Sequence, residues 1–212
     1  MIDVIPGILE QDLASIEAKV ALAAPHVSYV QIDILDNTLV ANSAYMDYEG
    51  FSRLISSYPH LSFEAHLMVA NPHTYIRGLV DAGFKRLIAH IESNDPRLFL
   101  EEAKLESAEA GLAIDGPTDI EQMEPFLEEI DMALVMTIEA GFSGQQLLPE
   151  TLEKVRAIRK HFADLPIEVD GGINGETARV VKDAGATRLV STSFVFKDPA
   201  GVTQAIEALK NA

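Results

Sequence analysis

The sequence predicts a closed barrel of eight parallel strands ringed by helices, a (β/α)8 fold, on three observations. Short β-like runs recur along the whole chain, segments with helical spacing separate them, and several of those segments stop at glycine just before the next strand. Strand alternating with helix throughout argues for a parallel sheet. Eight strand candidates in 212 residues give a unit of roughly 25 residues, which suits a compact barrel near the ~200-residue lower end of the known range. An open doubly wound sheet would carry a G-x-G-x-x-G turn after its first strand; the chain has "PGILEQD" there. No linker, low-complexity tract or charge block divides the sequence, so residues 1–212 are read as one barrel domain.

In order, the strands are expected at 3–8 (DVIPGI), 28–35 (SYVQIDIL), 61–68 (LSFEAHLM), 85–91 (KRLIAHI), 111–114 (GLAI), 132–138 (MALVMTI), 166–170 (PIEVD) and 187–192 (TRLVST). Helices are expected in the intervening stretches, among them "EQDLASIEAKVALAA", "DYEGFSRLISSY", "PHTYIRGLVDAG", "PRLFLEEAKLESAEAG", "TLEKVRAIRKHFAD" and "NGETARVVKDAG". Gly83, Gly111 and Gly185, in "DAGF", "EAGL" and "DAGA", are read as helix stops, because glycine takes the left-handed conformation past a helix end.

Composition narrows the partners. With 16 basic and 33 acidic side chains the formal charge is −17, which repels phosphate backbones and anionic lipid, so neither nucleic acid nor membrane is expected as a partner. An anionic ligand would need a local cradle of backbone N–H groups. Cysteine is absent, excluding disulfides, thiolate ligands and thiol nucleophiles and permitting a reducing cytosol. No secretory signal or bilayer-length apolar run is visible, and a cytoplasmic protein is expected.

The chemistry is written on the inward faces of the strands. In "YVQIDILDN" (29–37) period-two geometry sends Val30, Ile32 and Ile34 one way and Tyr29, Gln31 and Asp33 the other. The flanking Val and Ile read as a strand covered on both sides, which leaves an amide and an acid buried and pointing together. The same end of the barrel receives His66 and Met68 from strand three, Met136 from strand six and Asp170 from strand seven, and active sites of this fold sit at that end. His90 reads as a hydrogen-bonded core residue, and Met68 and Met136 also fit as core filler. Asp33 and Asp170 need a partner or a function; beside His66 they fit a divalent-metal site or an acid/base pair. After strands six, seven and eight come "GFSGQ" (141–145), "DGG" (170–172) and "STS" (191–193). Glycine-rich turns near a helix start offer phosphate a cradle without a positive side chain.

At these residues the sequence resembles the ribulose-phosphate 3-epimerase family. The likeness runs nearly end to end: "IPGIL", "QIDILDN", "HLMVANP", "HIE", "MALVMTIEAGFSGQ" and "IEVDGGI". The resemblance implies a ribulose-phosphate-binding TIM barrel that inverts C3 of D-ribulose 5-phosphate to give D-xylulose 5-phosphate. It implies one divalent cation (Mn, Mg, Fe or Zn) held by Asp33, His66 and Asp170, with the two acids as proton carriers on opposite faces of the substrate. It further implies a sugar phosphate on the loops of Gly141, Phe142, Ser143, Gly144, Gly171, Gly172, Thr192 and Ser193. Met68 and Met136 would line the site, and a homo-oligomer would use surface such as "MDYEGF" (46–51).

The sequence also departs from the family pattern. The strand-two histidine is Gln31, a harder oxygen ligand that favours Mn²⁺ or Mg²⁺ over Zn²⁺ if it binds the cation. The first-strand serine is Gly7, a strand-two methionine is Leu35, a proline after strand six is Ala140, and the glycine after strand eight is Thr192, whose side chain is expected to intrude on the phosphate approach. Three readings stay open at this point: an epimerase on ribulose 5-phosphate, an epimerase on another ketose phosphate, and a barrel that binds sugar phosphate without turnover.

Overall fold

A computed structural model describes residues 2–212. Its eight strands are β1 (Asp3–Ile8), β2 (Tyr29–Leu35), β3 (Ser62–Met68), β4 (Arg86–His90), β5 (Glu109–Ile114), β6 (Met132–Met136), β7 (Ile167–Asp170) and β8 (Arg188–Ser191). They pair in parallel in sequence order, and β8 closes on β1 with Asp3 opposite Arg188. The fold is a (β/α)8 barrel. Among the described residues, no helix is long and apolar enough to cross a membrane.

The helices are α1 (Leu13–Ala23), α2 (Tyr48–Ser56), α3 (Ile76–Ala82), α4 (Pro96–Leu105), α5 (Leu152–His161), α6 (Thr177–Ala184), α7 (Ser193–Lys197) and α8 (Val202–Asn211). Aspartates start several of them: Asp12 accepts from the Ser15 N–H at 2.9 Å and Asp95 from the Leu98 N–H at 3.0 Å, satisfying donors that have no partner inside the helix. Gly83 and Gly185 end α3 and α6 in the left-handed conformation, with φ of 110° and 119°. Gly111 does not end α4. That helix stops at Leu105, Ser107 makes the left-handed turn at φ 59°, and β5 already runs from Glu109. Gly111 lies inside β5 because the Met132 side chain fills the space a Cβ would need. Between β5 and β6 the connection holds only two short 3₁₀ turns, Ile120–Gln122 and Glu124–Phe126. Phe51, part of the stretch expected at a subunit surface, is fully buried and packs edge-on against Tyr45 and Phe84.

Period two sorts the strand residues into two cores. Outward residues such as Val30, Ile32, Phe63, Leu67, Val169 and Leu189 join the helices. Inward residues, among them Ile5, Leu35, Met68, Ile88, Leu134 and Met136, fill the barrel. Near the N-terminal ends of the strands the interior is ionic. Arg86, fully buried, pairs with Glu64 and with Glu109 at 2.7 Å, and its guanidinium lies 4.5 Å from the centre of the Tyr29 ring. Glu168 is buried nearby with neither carboxylate oxygen hydrogen-bonded; burial first, and then the charge of Glu64, push its pKa well up. The arginine therefore gives buried Glu64 a partner where no solvent is available, while Glu109 reaches it from the half-exposed edge. Removing one partner of a buried pair strands the other, so Arg86→Met should lower unfolding free energy by about 3–5 kcal/mol. Urea denaturation checks this, and a loss under about 1 kcal/mol would mean that the acids are neutral without it.

Candidate active site

At the opposite end of the barrel the inward positions carry the chemistry. Register aligns Asp33 of β2 with His66 of β3, and Met136 of β6 with Asp170 of β7. The ligand-capable atoms of Asp33, His66 and Asp170 lie within 4.8 Å of one another. Gln31, one inward position below Asp33, donates through Nε2 to Asp33 Oδ1 and to Asp170 Oδ2, both at 2.8 Å, and so ties β2 to β7 across the interior. Its Oε1 is buried without a hydrogen-bond partner. His66 is fully buried, with Nδ1 at 3.3 Å from Asp33 Oδ1 and 3.8 Å from Asp170 Oδ2.

Behind this cluster His66 Nε2 meets His90 Nε2 at 2.9 Å, and His90 Nδ1 meets Glu92 Oε2 at 3.0 Å. The other oxygen of Glu92 accepts the Asp115 N–H at 2.9 Å. His90 is thus a hydrogen-bonded core residue, and Glu92, just past β4 within "HIE", is a residue that the motif contains but strand spacing alone does not single out.

Burial governs the protonation states. It pushes Asp33 up to about 7, against the opposing Gln31 N–H. It pushes Asp170 up to about 6, with the neighbouring Asp33 adding to the effect and His66 opposing it. It holds His66 down at about 3, reinforced by His90, so the imidazole is neutral. For Glu92 burial acts upward, but the His90 contact together with hydrogen bonds from Thr118 and the Asp115 N–H brings the carboxyl down to about 2. Two neighbouring acids pushed up to about 7 and about 6 titrate as a coupled pair, an arrangement in which one can accept a proton while the other donates one.

A pocket opens directly above. Its walls include Asp33, Met68, Met136, Gly141–Gly144, Asp170–Gly172, Thr192 and Ser193, so Phe142 and Ser143 line the same pocket as the acids. Gln31 and His66 lie beneath the pocket floor. Leu9, Ile138, Ile173, Val190 and Ser191 complete the lining; Leu9, Ile138 and Ile173, apolar residues just past strand ends, carry no chemical signal that could single them out in sequence. Gly7 lies at the first strand against Thr192 and Val190: a Cβ there would sit 2.6 Å from Thr192 Oγ1 and 2.9 Å from Val190 Cγ1. The Thr192 hydroxyl is therefore turned against β1, into the room a side chain at residue 7 would take.

The profile of the Ribulose-phosphate 3 epimerase family matches residues 3–196. The chain belongs to that family. A ribulose-phosphate 3-epimerase of Chlamydia pneumoniae is 35% identical over 201 residues, spanning 91% of this chain and 86% of the other. The cytoplasmic isoform of Oryza sativa subsp. japonica is 34% identical over 199 residues, spanning 90% and 86%. Among solved structures, 3-keto-L-gulonate-6-phosphate decarboxylase from Vibrio cholerae superposes with a TM-score of 0.77 at 13% identity, over 99% of this chain and 96% of that one; this likeness is one of fold. Membership in the ribulose-phosphate 3-epimerase family assigns the barrel to the epimerase type of enzyme.

The contact at Gly7 makes a pairwise prediction. Gly7→Ser alone should destabilise the protein by about 1–3 kcal/mol through overpacking. Adding Thr192→Gly should recover a measurable part, with Val190 keeping the rest. Thermal unfolding of the two singles and the double reads the coupling; strict additivity would show that the two residues do not compete for space.

Proposed function

We propose that this chain interconverts D-ribulose 5-phosphate and D-xylulose 5-phosphate, with Asp33 and Asp170 exchanging roles as base and acid at C3. The observation that carries the reading is the pair itself: two buried carboxyls from β2 and β7, brought to within 4.8 Å at the floor of one pocket. The carboxylate on one face takes the C3 proton, and the C–H electron pair passes into the bond toward the C2 carbonyl. The carboxyl on the other face then delivers a proton to C3, which inverts the centre and leaves the aspartates with their protonation swapped. Met68 and Met136 wall the reacting carbons with apolar surface and keep water from quenching the intermediate.

The donor set fits a divalent cation. Asp33, His66 and Asp170 present two carboxylates and a neutral imidazole nitrogen to one point. Gln31 supports the same reading, because its unpartnered buried Oε1 gains a partner if the amide turns end for end toward a cation. Bound there, a divalent cation supplies Lewis acidity to the substrate oxygens as negative charge develops on them. The phosphate goes to Gly141–Gly144, Gly171, Gly172, Thr192 and Ser193, where backbone N–H groups offset the chain's charge of −17. Thr192 also favours ribulose 5-phosphate over a reshaped substrate, since its hydroxyl stands against Gly7, the position that is serine in the family pattern.

Incubation with ribulose 5-phosphate in deuterated water tests the reaction: deuterium should enter C3 of both pentuloses. Asp33→Asn and Asp170→Asn should each slow exchange by roughly 10²–10⁴-fold, the range for a lost acid/base group. Wild-type protein that binds the sugar phosphate without exchanging C3 would make the barrel a binding protein.

The cation reading has its own check. Cations displace protons from raised carboxyls, so Mn²⁺ affinity should climb as pH rises through about 6 and about 7, where Asp170 and Asp33 ionise. Gln31→His should shift the Zn²⁺/Mn²⁺ affinity ratio toward Zn²⁺ by roughly tenfold or more, since imidazole suits the softer ion. Calorimetry reads both, and an unchanged ratio would leave Gln31 outside the coordination sphere.

A further inference from the structure

We propose that Asn42 and Gln145 are positioning residues for the phosphate: they hold the Gly141 and Phe142 carbonyls turned out of the pocket, which leaves the Phe142 and Ser143 N–H groups to face the anion. The proposal rests on the sugar-phosphate reading above and adds to it the side chains that set the polarity of the loop after β6.

The pocket has to attract an anion without a basic side chain. Among the described residues no lysine or arginine lines it, and the acids Asp33 and Asp170 form part of its wall. Backbone N–H groups must then supply the positive potential, and a carbonyl turned inward would oppose it. The loop could present either, because Gly141 and Gly144 sit at positive φ, 116° and 87°, and glycine leaves the adjoining peptides free to turn over. Side chains that stand outside the pocket walls remove that freedom. Asn42, from the loop after β2, donates through Nδ2 to the Gly141 carbonyl at 2.7 Å, while its Oδ1 accepts the Ser43 N–H at 2.9 Å. A backbone N–H only donates and a carbonyl only accepts, so the two contacts fix the amide from both ends. Gln145 Nε2 reaches the Glu139 carbonyl at 2.8 Å and the Phe142 carbonyl at 2.9 Å, a pairing open only to the NH₂ group. Asp115 Oδ1 holds the Ala140 N–H at 2.8 Å. Val40 seats the loop beside Asn42, since a Cβ on Gly141 would lie 3.3 Å from Val40 Cβ. In a planar trans peptide the N–H points opposite to the carbonyl. With the Gly141 and Phe142 carbonyls drawn to partners outside the pocket walls, the Phe142 and Ser143 N–H groups point the other way. Among the described residues neither of them donates to another backbone group.

Asn42→Leu and Gln145→Met are the informative changes, because each removes the amide donors at nearly constant size and adds no charge. Backbone ¹H–¹⁵N spectra of the full chain, followed through a titration with inorganic phosphate, read the loop amide by amide. In wild type the Phe142 and Ser143 amide protons should move downfield as phosphate binds. Asn42→Leu frees the Gly141 carbonyl and should remove most of the Phe142 response. Gln145→Met frees the Phe142 carbonyl and should remove most of the Ser143 response. Either change should weaken binding of ribulose 5-phosphate roughly 10–100-fold, the range for one hydrogen bond to a charged group. The proposal is overturned if both amides respond in the variants as in wild type, if each variant loses both responses to the same degree, as general loosening of the fold would cause, or if the wild-type amides stay in place while phosphate binds. Should a variant fail to fold, the wild-type titration still decides, since the two N–H groups either take up the phosphate or do not. Wild-type protein that binds neither inorganic phosphate nor ribulose 5-phosphate removes the sugar-phosphate reading itself; binding that the substitutions leave unchanged removes only the role of Asn42 and Gln145.

Discussion

Everything at the open end of this barrel depends on two carboxyl groups being held together away from water. Like charges at this separation repel strongly where the dielectric is low, so the pair does not remain doubly ionised near neutral pH without help. The protein supplies help in the form of the Gln31 amide, which donates to both acids at 2.8 Å, and leaves the rest to a shared proton or a cation. Burial pushes both Asp33 and Asp170 upward, and for Asp170 the charge of Asp33 adds to it. Acids tuned in this way are poor contributors to stability and good proton carriers, which is the usual trade at a reactive site.

Much of this was legible in the sequence, because parallel strands impose alternation. Once residues 29–35 read as a covered strand, Gln31 and Asp33 had to share a face, and β3 and β7 had to bring His66 and Asp170 to the same end. Glycine was a less reliable guide: Gly83 and Gly185 stop helices, whereas Gly111 sits inside β5 to make room for Met132. A glycine needed for its φ and one needed for its missing side chain look identical in sequence. The burial of Phe51 escaped for a similar reason, since the α2 face it occupies is fixed by its packing partners Tyr45 and Phe84.

What strand spacing could not show is which contacts cross the barrel. The Gln31 bridge links residues 139 apart in the chain, and the Glu92–His90–His66 row draws on two strands and a loop. Such links depend on side-chain reach and on stagger around the closed sheet. Gly7 and Thr192 belong to the same class. Taken singly, one removes a hydroxyl and the other adds one; together they occupy a single volume between β1 and the end of β8.

The interior therefore has two polar ends with opposite assignments. Toward the strand N-termini, Arg86 neutralises Glu64 and Glu109, and burial pushes neighbouring Glu168 upward. Those acids surround a guanidinium that cannot give up its proton under ordinary conditions, so its positive charge is fixed and serves the fold. Toward the C-termini no arginine or lysine faces Asp33 and Asp170 within ion-pair distance among the described residues. Their partners are an amide and a neutral imidazole, groups that orient the acids without neutralising them. An arginine or lysine there would hold both carboxylates ionised and remove the proton that the pair shares. Without one, the raised carboxyls keep a proton that the pair can exchange.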